Sequence, residues 1–305
     1  MDSDIKLFFR TQLAEIAETR SHCSFTEDWP NPSDLKILCE KAAGFFIYAS
    51  TVVKFVGSKY HTPTTQLAQI ISLPHDTTHE GRSGIDLLYT QVLEQVIDDM
   101  GTDVEEICSH IRTVAGAVLL VLNSLSMKAL SDLLGMPNIP TTLRSLHSLL
   151  LVPEGTEDPI QPFHKSFPDF LMDSSRCKDE RFFVEPAVHH TKVLLSCLNL
   201  MGERLKRNIC NLDSYAVLSE VMDLPTCKKD HIGEALEYAC KFWSKHLLMV
   251  PSSSSHVGEV QKAIKEFFTR HLLYWIEVLA LTGNLGVGVY ALNDVEQWYA
   301  LVSAV

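Results

Sequence analysis

Several kinds of chemistry are missing from this 305-residue sequence. It contains no G-x-x-x-x-G-K-[ST], so no loop cradles phosphates with its amides while a lysine and a hydroxyl hold the terminal phosphate and magnesium. It also lacks G-x-G-x-x-G and the G-x-S-x-G elbow that presents a nucleophilic serine. These gaps argue against a self-contained P-loop ATPase, a dinucleotide-binding unit and an α/β-hydrolase. Positive charge is scarce: 26 Lys and Arg stand against 38 Asp and Glu, for a formal net charge of −12. That balance disfavours nucleic acid or an anionic membrane as the main partner. Apolar runs are short as well. The longest, 42–53 and 114–122, are too short to span about 30 Å of hydrocarbon. The acidic amino terminus has neither the basic region nor the apolar run of a secretory signal. None of the eight cysteines forms a C-x-x-C pair. They read as reduced, mostly buried thiols of a cytoplasmic protein.

What the sequence does have is apolar residues at helical spacing. At 46% hydrophobic it can bury real cores, and its length suits about two domains or three small helical ones. The expected class is mainly α: a small helical bundle, a winged-helix domain with a short β-hairpin, then an α-helical array.

The stretch 125–171 organises the rest. Ser126 is a good N-cap for a short helix carrying Leu130, Leu133 and Leu134, which Gly135-Met136-Pro137 stops. A second helix follows with Leu143, Leu146, Leu149 and Leu150 on one face. Leu151-Val152-Pro153 then leaves it extended. Residues 154–159 read as a turn and Ile160 to Phe163 as a returning strand paired with 150–153. Helix, tight turn, helix and hairpin are the grammar of a winged helix. From Cys108 to Leu171 the bases are Arg112, Lys128, Arg144 and Lys165, and the acids Asp132, Glu154, Glu157, Asp158 and Asp169. A helix entering a DNA groove needs several cations, and this one offers Arg144 and a titratable His147. DNA binding is therefore the weakest reading.

The run Phe163-His164-Lys165-Ser166-Phe167-Pro168-Asp169-Phe170-Leu171 resembles the histidine motif that closes the winged-helix domain of STAND signalling NTPases, the class of NACHT and NB-ARC proteins. Its form His-x-Ser-Phe-x-Asp-Phe-Leu is similar to that of fungal NACHT proteins. By that resemblance His164 is the candidate sensor of the ADP β-phosphate, with Lys165 standing where many members carry an acid. Taken without the resemblance, a histidine after a strand is a capping or packing residue. The segment Lys41 to Phe55 resembles the helical bundle that follows the family's ATPase core. Gly44 falls at the glycine of a Gly-Leu-Pro motif whose proline packs on adenine. Here Phe45 and Phe46 follow instead, and core packing is expected of them. The piece Arg207-Asn208-Ile209-Cys210-Asn211-Leu212 also resembles the fungal proteins.

The resemblance implies a division into 1–60, the end of the ATPase core with helical domain 1; 61–84, a linker; 85–172, the winged-helix domain; and 173–305, a C-terminal helical domain. It implies a regulatory, nucleotide-state-sensing portion of a signalling protein, with no catalysis of its own. ADP or ATP would bind only when a NACHT core is joined to it. The partners would be that missing N-terminal core and C-terminal repeats or other proteins, with no nucleic acid and no membrane. A free-standing helical adaptor for protein–protein interaction is the alternative.

Local signals complete the reading. Asp4 is placed as cap of a helix to Glu18 with Ile5, Phe8, Phe9, Leu13 and Ile16 on one side, and Ser33 as cap of the next. Gly44 starts a separate helix or permits a close approach. His75 and His79 have a spacing suited to two metal ligands but lie in a polar loop with no further ligand nearby, so no metal is assigned. Helices are expected over 65–71, 85–100 and 105–123. A long one opens at Pro186 with Val188, Val193, Leu194, Cys197, Leu198 and Met201 inside, and adjacent His189 and His190 diverge by about 100°. Others follow over 231–250 and 260–281. Gly283 to Gly288 is expected to loosen the chain before a short helix from Asp294 to Val302.

Overall fold

The computed structural model describes residues 2–74, 82–101, 103–155, 157–213 and 223–303. The expected loop histidines His75 and His79 lie outside them. The described residues form fifteen helices and a two-stranded sheet, so the protein is mainly α-helical. Among them no helix is long and apolar enough to cross a membrane. The chain folds as two compact units, each assembled from separate stretches: unit 1 is 1–112, 142–152 and 162–183, and unit 2 is 113–141, 153–161 and 184–305.

Unit 1 is built on α1 (Asp2–Thr19), α2 (Pro32–Ala42), α3 (Phe46–Val56), α4 (Pro63–Ser72) and α5 (Arg82–Met100). The nearly all-apolar α3 sits in the middle, against α1, α2, α4 and α5, and buries Tyr48, Ala49, Val52, Phe55 and Val56. Ile5, Phe9 and Leu13 line the inner side of α1 at four-residue spacing, as expected, while Phe8 and Ile16 at its margins are half-buried. That helix begins at Asp2, so Asp4 lies within its first turn rather than at its cap. The cap of α2 is Asn31, not Ser33. Its extended backbone lets Oδ1 accept the Asp34 N–H at 2.8 Å, while Pro32 takes the first helical position, where no N–H is needed. Ser33 Oγ donates to the same Asn31 oxygen. Helices α2 and α3 are separate because Ala43 and Gly44 both turn left-handed, at φ 46° and 83°.

Helix α6 (Val104–Leu120) and helix α8 (Ile139–Ser145) each carry the chain from one unit to the other. Ser126 caps α7 (Met127–Leu134) as its sequence suggests, accepting the Ala129 N–H at 3.2 Å, and Gly135 ends it at φ 64°. Helix α8 stops earlier than its leucine spacing implies. The Leu146 N–H is shared between the Thr142 and Leu143 carbonyls, both at 3.1 Å, which tightens 146–149 into turns. Leu143, Leu146, Leu149 and Leu150 are buried nonetheless. Strands β1 (Leu150–Leu151) and β2 (Gln161–Pro162) form the two-stranded sheet. The Phe163 N–H donates to the Leu149 carbonyl at 2.9 Å, just beyond it. Helix α9 (Ser166–Leu171) follows, with Phe167, Phe170 and Leu171 buried.

Unit 2 continues with α10 (Pro186–Arg204), α11 (Leu224–His231), α12 (Gly233–Leu247), α13 (Val257–Arg270), α14 (Leu272–Leu281) and α15 (Leu285–Ser303). Helix α12 is its hub, packed by α7, α10, α11, α14 and α15. Glu234, in the first turn of α12, accepts both the Ser126 N–H, at 3.1 Å, and the Ser126 hydroxyl. On α10 the inward positions belong to Val193, Leu194, Cys197 and both histidines, while Val188 is exposed. The expected helix 231–250 is α12, which starts at Gly233; that residue, left-handed at φ 65°, separates it from α11, which ends at His231. The expected helix 260–281 breaks at His271. The expected loosening at 283–288 is confined to Gly283. Gly286 and Gly288 belong to the long α15, and a Cβ on Gly288 would lie 3.2 Å from Leu279 Cδ1 and 3.7 Å from the Trp275 ring. That glycine serves helix contact, not flexibility.

Candidate functional site

Unit 1 contains a cleft of about 580 Å³. One side is apolar: Phe45 from the residue before α3, Ile47 in its first turn, and Ile85 from α5. The segment after β2 brings the polar lining, His164, Ser166, Asp169, Asp173 and Arg176, together with the apolar Met172. The left-handed bend at 43–44 turns Phe45 outward. Its side chain is 51% exposed and that of Phe46 is 46% exposed, so the core packing expected of this pair does not hold. Phe46 still meets Phe8 edge-on at 5.8 Å.

His164 is exposed and held by its own loop. Its Nδ1 accepts the Ser166 N–H at 3.1 Å and lies 2.8 Å from Ser166 Oγ. Ser166 Oγ is in turn 2.7 Å from the hydroxyl of Tyr89 on α5. Tyr89 is buried against Phe167 and Phe170, with ring centroids at 5.3 and 5.5 Å. Burial pushes its hydroxyl pKa up, partly offset by the bond to Ser166. The aromatic pair at 167 and 170 therefore anchors α9, and α9 fixes where the preceding imidazole stands.

Two charged groups of the cleft, Arg176 and Asp173, are engaged by residues that do not line it. Arg176 grips Asp86 with two bonds, at 2.6 and 3.1 Å. Those bonds raise the guanidinium pKa while partial burial opposes them. Asp173 accepts the Ser175 hydroxyl and N–H, which lower its carboxyl pKa. Among the described residues no three His, Cys, Asp or Glu converge as a metal ion would require.

Of the residues singled out by resemblance, His164 and the neighbours of Gly44 border one cleft, although they are distant in sequence. Lys165 is the exposed residue preceding α9 and does not line it. Sequence reading gave no role to Ser166. Tyr89 and the Asp86–Arg176 pair carried no local signal, because their partners lie on another element. The Arg207–Leu212 piece is a turn locked by Asn208, whose Oδ1 accepts the Leu212 N–H at 2.8 Å. Glu277 accepts the Asn208 and Ile209 N–H groups.

No protein-family model and no solved structure matches the chain. The chain is distantly homologous to the vegetative incompatibility protein HET-E-1 of Podospora anserina, at 27% identity over 277 residues. The match takes in 84% of this chain and 19% of that protein, so the chain spans about a fifth of the relative's length.

Proposed function

We propose that the chain is the regulatory portion of a NACHT-type STAND signalling protein, with a winged-helix domain around 85–172 whose His164 reads the state of a nucleotide held by an ATPase core. One observation carries this reading: the cleft of unit 1 brings together the residues beside Gly44 and the histidine of the His-x-Ser motif, the two places that resemble nucleotide-contacting positions of that family. The distant homology to a fungal incompatibility protein supports a signalling role, and the order α6, α7, α8, β1, β2, α9 supports the winged helix.

The residues fit one side of ADP. Phe45, Ile47 and Ile85 offer apolar surface and His164 offers a ring nitrogen, whereas Arg176 is spent on Asp86 and two acids share the cleft. The remaining phosphate charge would be met by the core. The chain alone is accordingly not an enzyme. A ligand bridging two bodies shifts their equilibrium only through contacts it makes in one state and not in the other, and His164 supplies such a contact. With a NACHT core joined in cis, His164→Ala should lower ADP retention about tenfold, the worth of one charge-assisted hydrogen bond. Equal retention in the two proteins removes the sensor.

A helical adaptor is favoured by a separate observation, the exposed apolar side chains Leu273 on α14 and Val289 and Tyr290 on α15. On that reading Leu273→Ser with Tyr290→Ser abolishes partner binding, and His164→Ala leaves it intact. DNA binding has the least support, since α8 carries a single cation, Arg144.

A further inference from the structure

We infer that Ser166, through its N–H and its Tyr89-backed hydroxyl, is a positioning residue that fixes the tautomer of His164, so that the imidazole offers an Nε2–H donor to the cleft. The inference rests on the proposed role of His164 but is tested without it. Its logic follows from which groups can donate. A backbone N–H has no acceptor capacity, so the 3.1 Å contact from Ser166 N obliges His164 Nδ1 to be a lone pair. With no hydrogen on Nδ1, the 2.8 Å contact to Ser166 Oγ can be a hydrogen bond only if the serine hydroxyl donates. Having given its one hydrogen to the ring, that oxygen is left to accept, and the Tyr89 hydroxyl at 2.7 Å supplies the donor. The chain therefore runs one way: Tyr89 O–H to Ser166 Oγ, Ser166 O–H to His164 Nδ1. The ring hydrogen must sit on Nε2, the nitrogen turned away from this chain, on a ring that lines the cleft. Buried Tyr89 does not relax with solvent, which gives the relay a rigid end.

Long-range proton–nitrogen NMR on the full chain labelled at histidine reads the tautomer directly, with His164 assigned by its loss in His164→Gln. The expected result is an Nε2–H ring in wild type. Ser166→Ala should reduce the Nε2–H to Nδ1–H ratio about fivefold, the worth of one neutral hydrogen bond. Ser166→Thr, which keeps the hydroxyl, should restore it, and Tyr89→Phe should fall between. An Nδ1–H ring in wild type overturns the inference. So does an unchanged ratio in Ser166→Ala, which would leave the backbone N–H as the sole determinant. Failure of ADP retention to depend on His164 would instead sink the nucleotide reading and leave the tautomer result standing.

Discussion

Each unit contains a short relay of imidazole and phenol, and the two behave differently because only one is sealed. In unit 1, His164 is exposed, and the N–H and hydroxyl of Ser166 both meet its Nδ1, which leaves the ring hydrogen to Nε2. In unit 2, His190 Nδ1 and His246 Nδ1 face each other at 2.8 Å, His246 Nε2 lies 2.7 Å from the Tyr238 hydroxyl, and that hydroxyl accepts the Leu122 N–H at 3.1 Å. All three side chains are buried. Two imidazoles sharing one hydrogen satisfy each other in either sense, so this relay links α10 to α12. Identical residue types thus serve as a donor in one place and as a tie in the other. Burial decides which.

The heaviest blow to the comparison is to open the sealed side. Trp243 is fully buried beside Phe267 at 5.1 Å and Trp275 at 6.0 Å, and Trp275 Nε1 donates to the Cys240 carbonyl in the same layer. Trp243→Ala should cost unit 2 about 3–5 kcal/mol, read as a lowered urea midpoint with Trp275 and Trp298 as fluorescent probes. A loss under about 1 kcal/mol would mean that this layer is not the core it is taken for.

Acid is the next lever, and it acts on the sealed relay by a definite sign. Burial holds His246 down to about 3, and burial also lowers His190. A second proton on the facing Nδ1 atoms would set two N–H groups head to head. Wherever it sits on His246, an added proton buries a charge. Because the folded pKa lies below the unfolded value near 6.5, the stabilisation is complete above that value and is lost as pH falls from about 6.5 toward 3. From pH 7 to 5 unit 2 should lose about 2 kcal/mol through His246, before most carboxylates titrate. In His246→Gln the slope over this window should flatten. A wild-type midpoint independent of pH would remove the relay's strain under protonation.

The same contrast explains what the sequence disclosed. Ser126 and Gly135 bracket α7 as written because a cap is a matter of four or five neighbouring residues. Asn31 was overlooked for Ser33 since both are capping types and only the backbone, extended at 31 and helical from Pro32, chooses between them. Gly288 looked like a loosening signal, but its absent side chain is filled by Leu279 and Trp275 from α14, a partner invisible to local spacing. The site divided in the same way. His164 and Ser166 were adjacent in a motif, whereas Ile85 reaches the cleft from α5, and Tyr89 and Asp86 of the same helix hold Ser166 and Arg176 from behind it. His190 and His246 gave no hint of each other across the sequence.

The lightest test separates a wall of the cleft from a piece of core. Phe45 and Phe55 bracket α3, and one is half out of the fold while the other is 3% exposed. Phe45→Ala removes little buried surface, so it should move the unfolding midpoint of unit 1 by no more than about 0.5 kcal/mol. Phe55→Ala should cost about 3 kcal/mol or more. Trp29, the tryptophan of unit 1, reports both by fluorescence. An exposed aromatic kept beside a polar segment is a surface held open, and on the nucleotide reading Phe45→Ala weakens ADP retention in the core-joined protein while leaving stability alone. If Phe45→Ala instead unfolds unit 1, the ring is structural, the cleft loses its apolar wall, and the two sides of the comparison collapse into one.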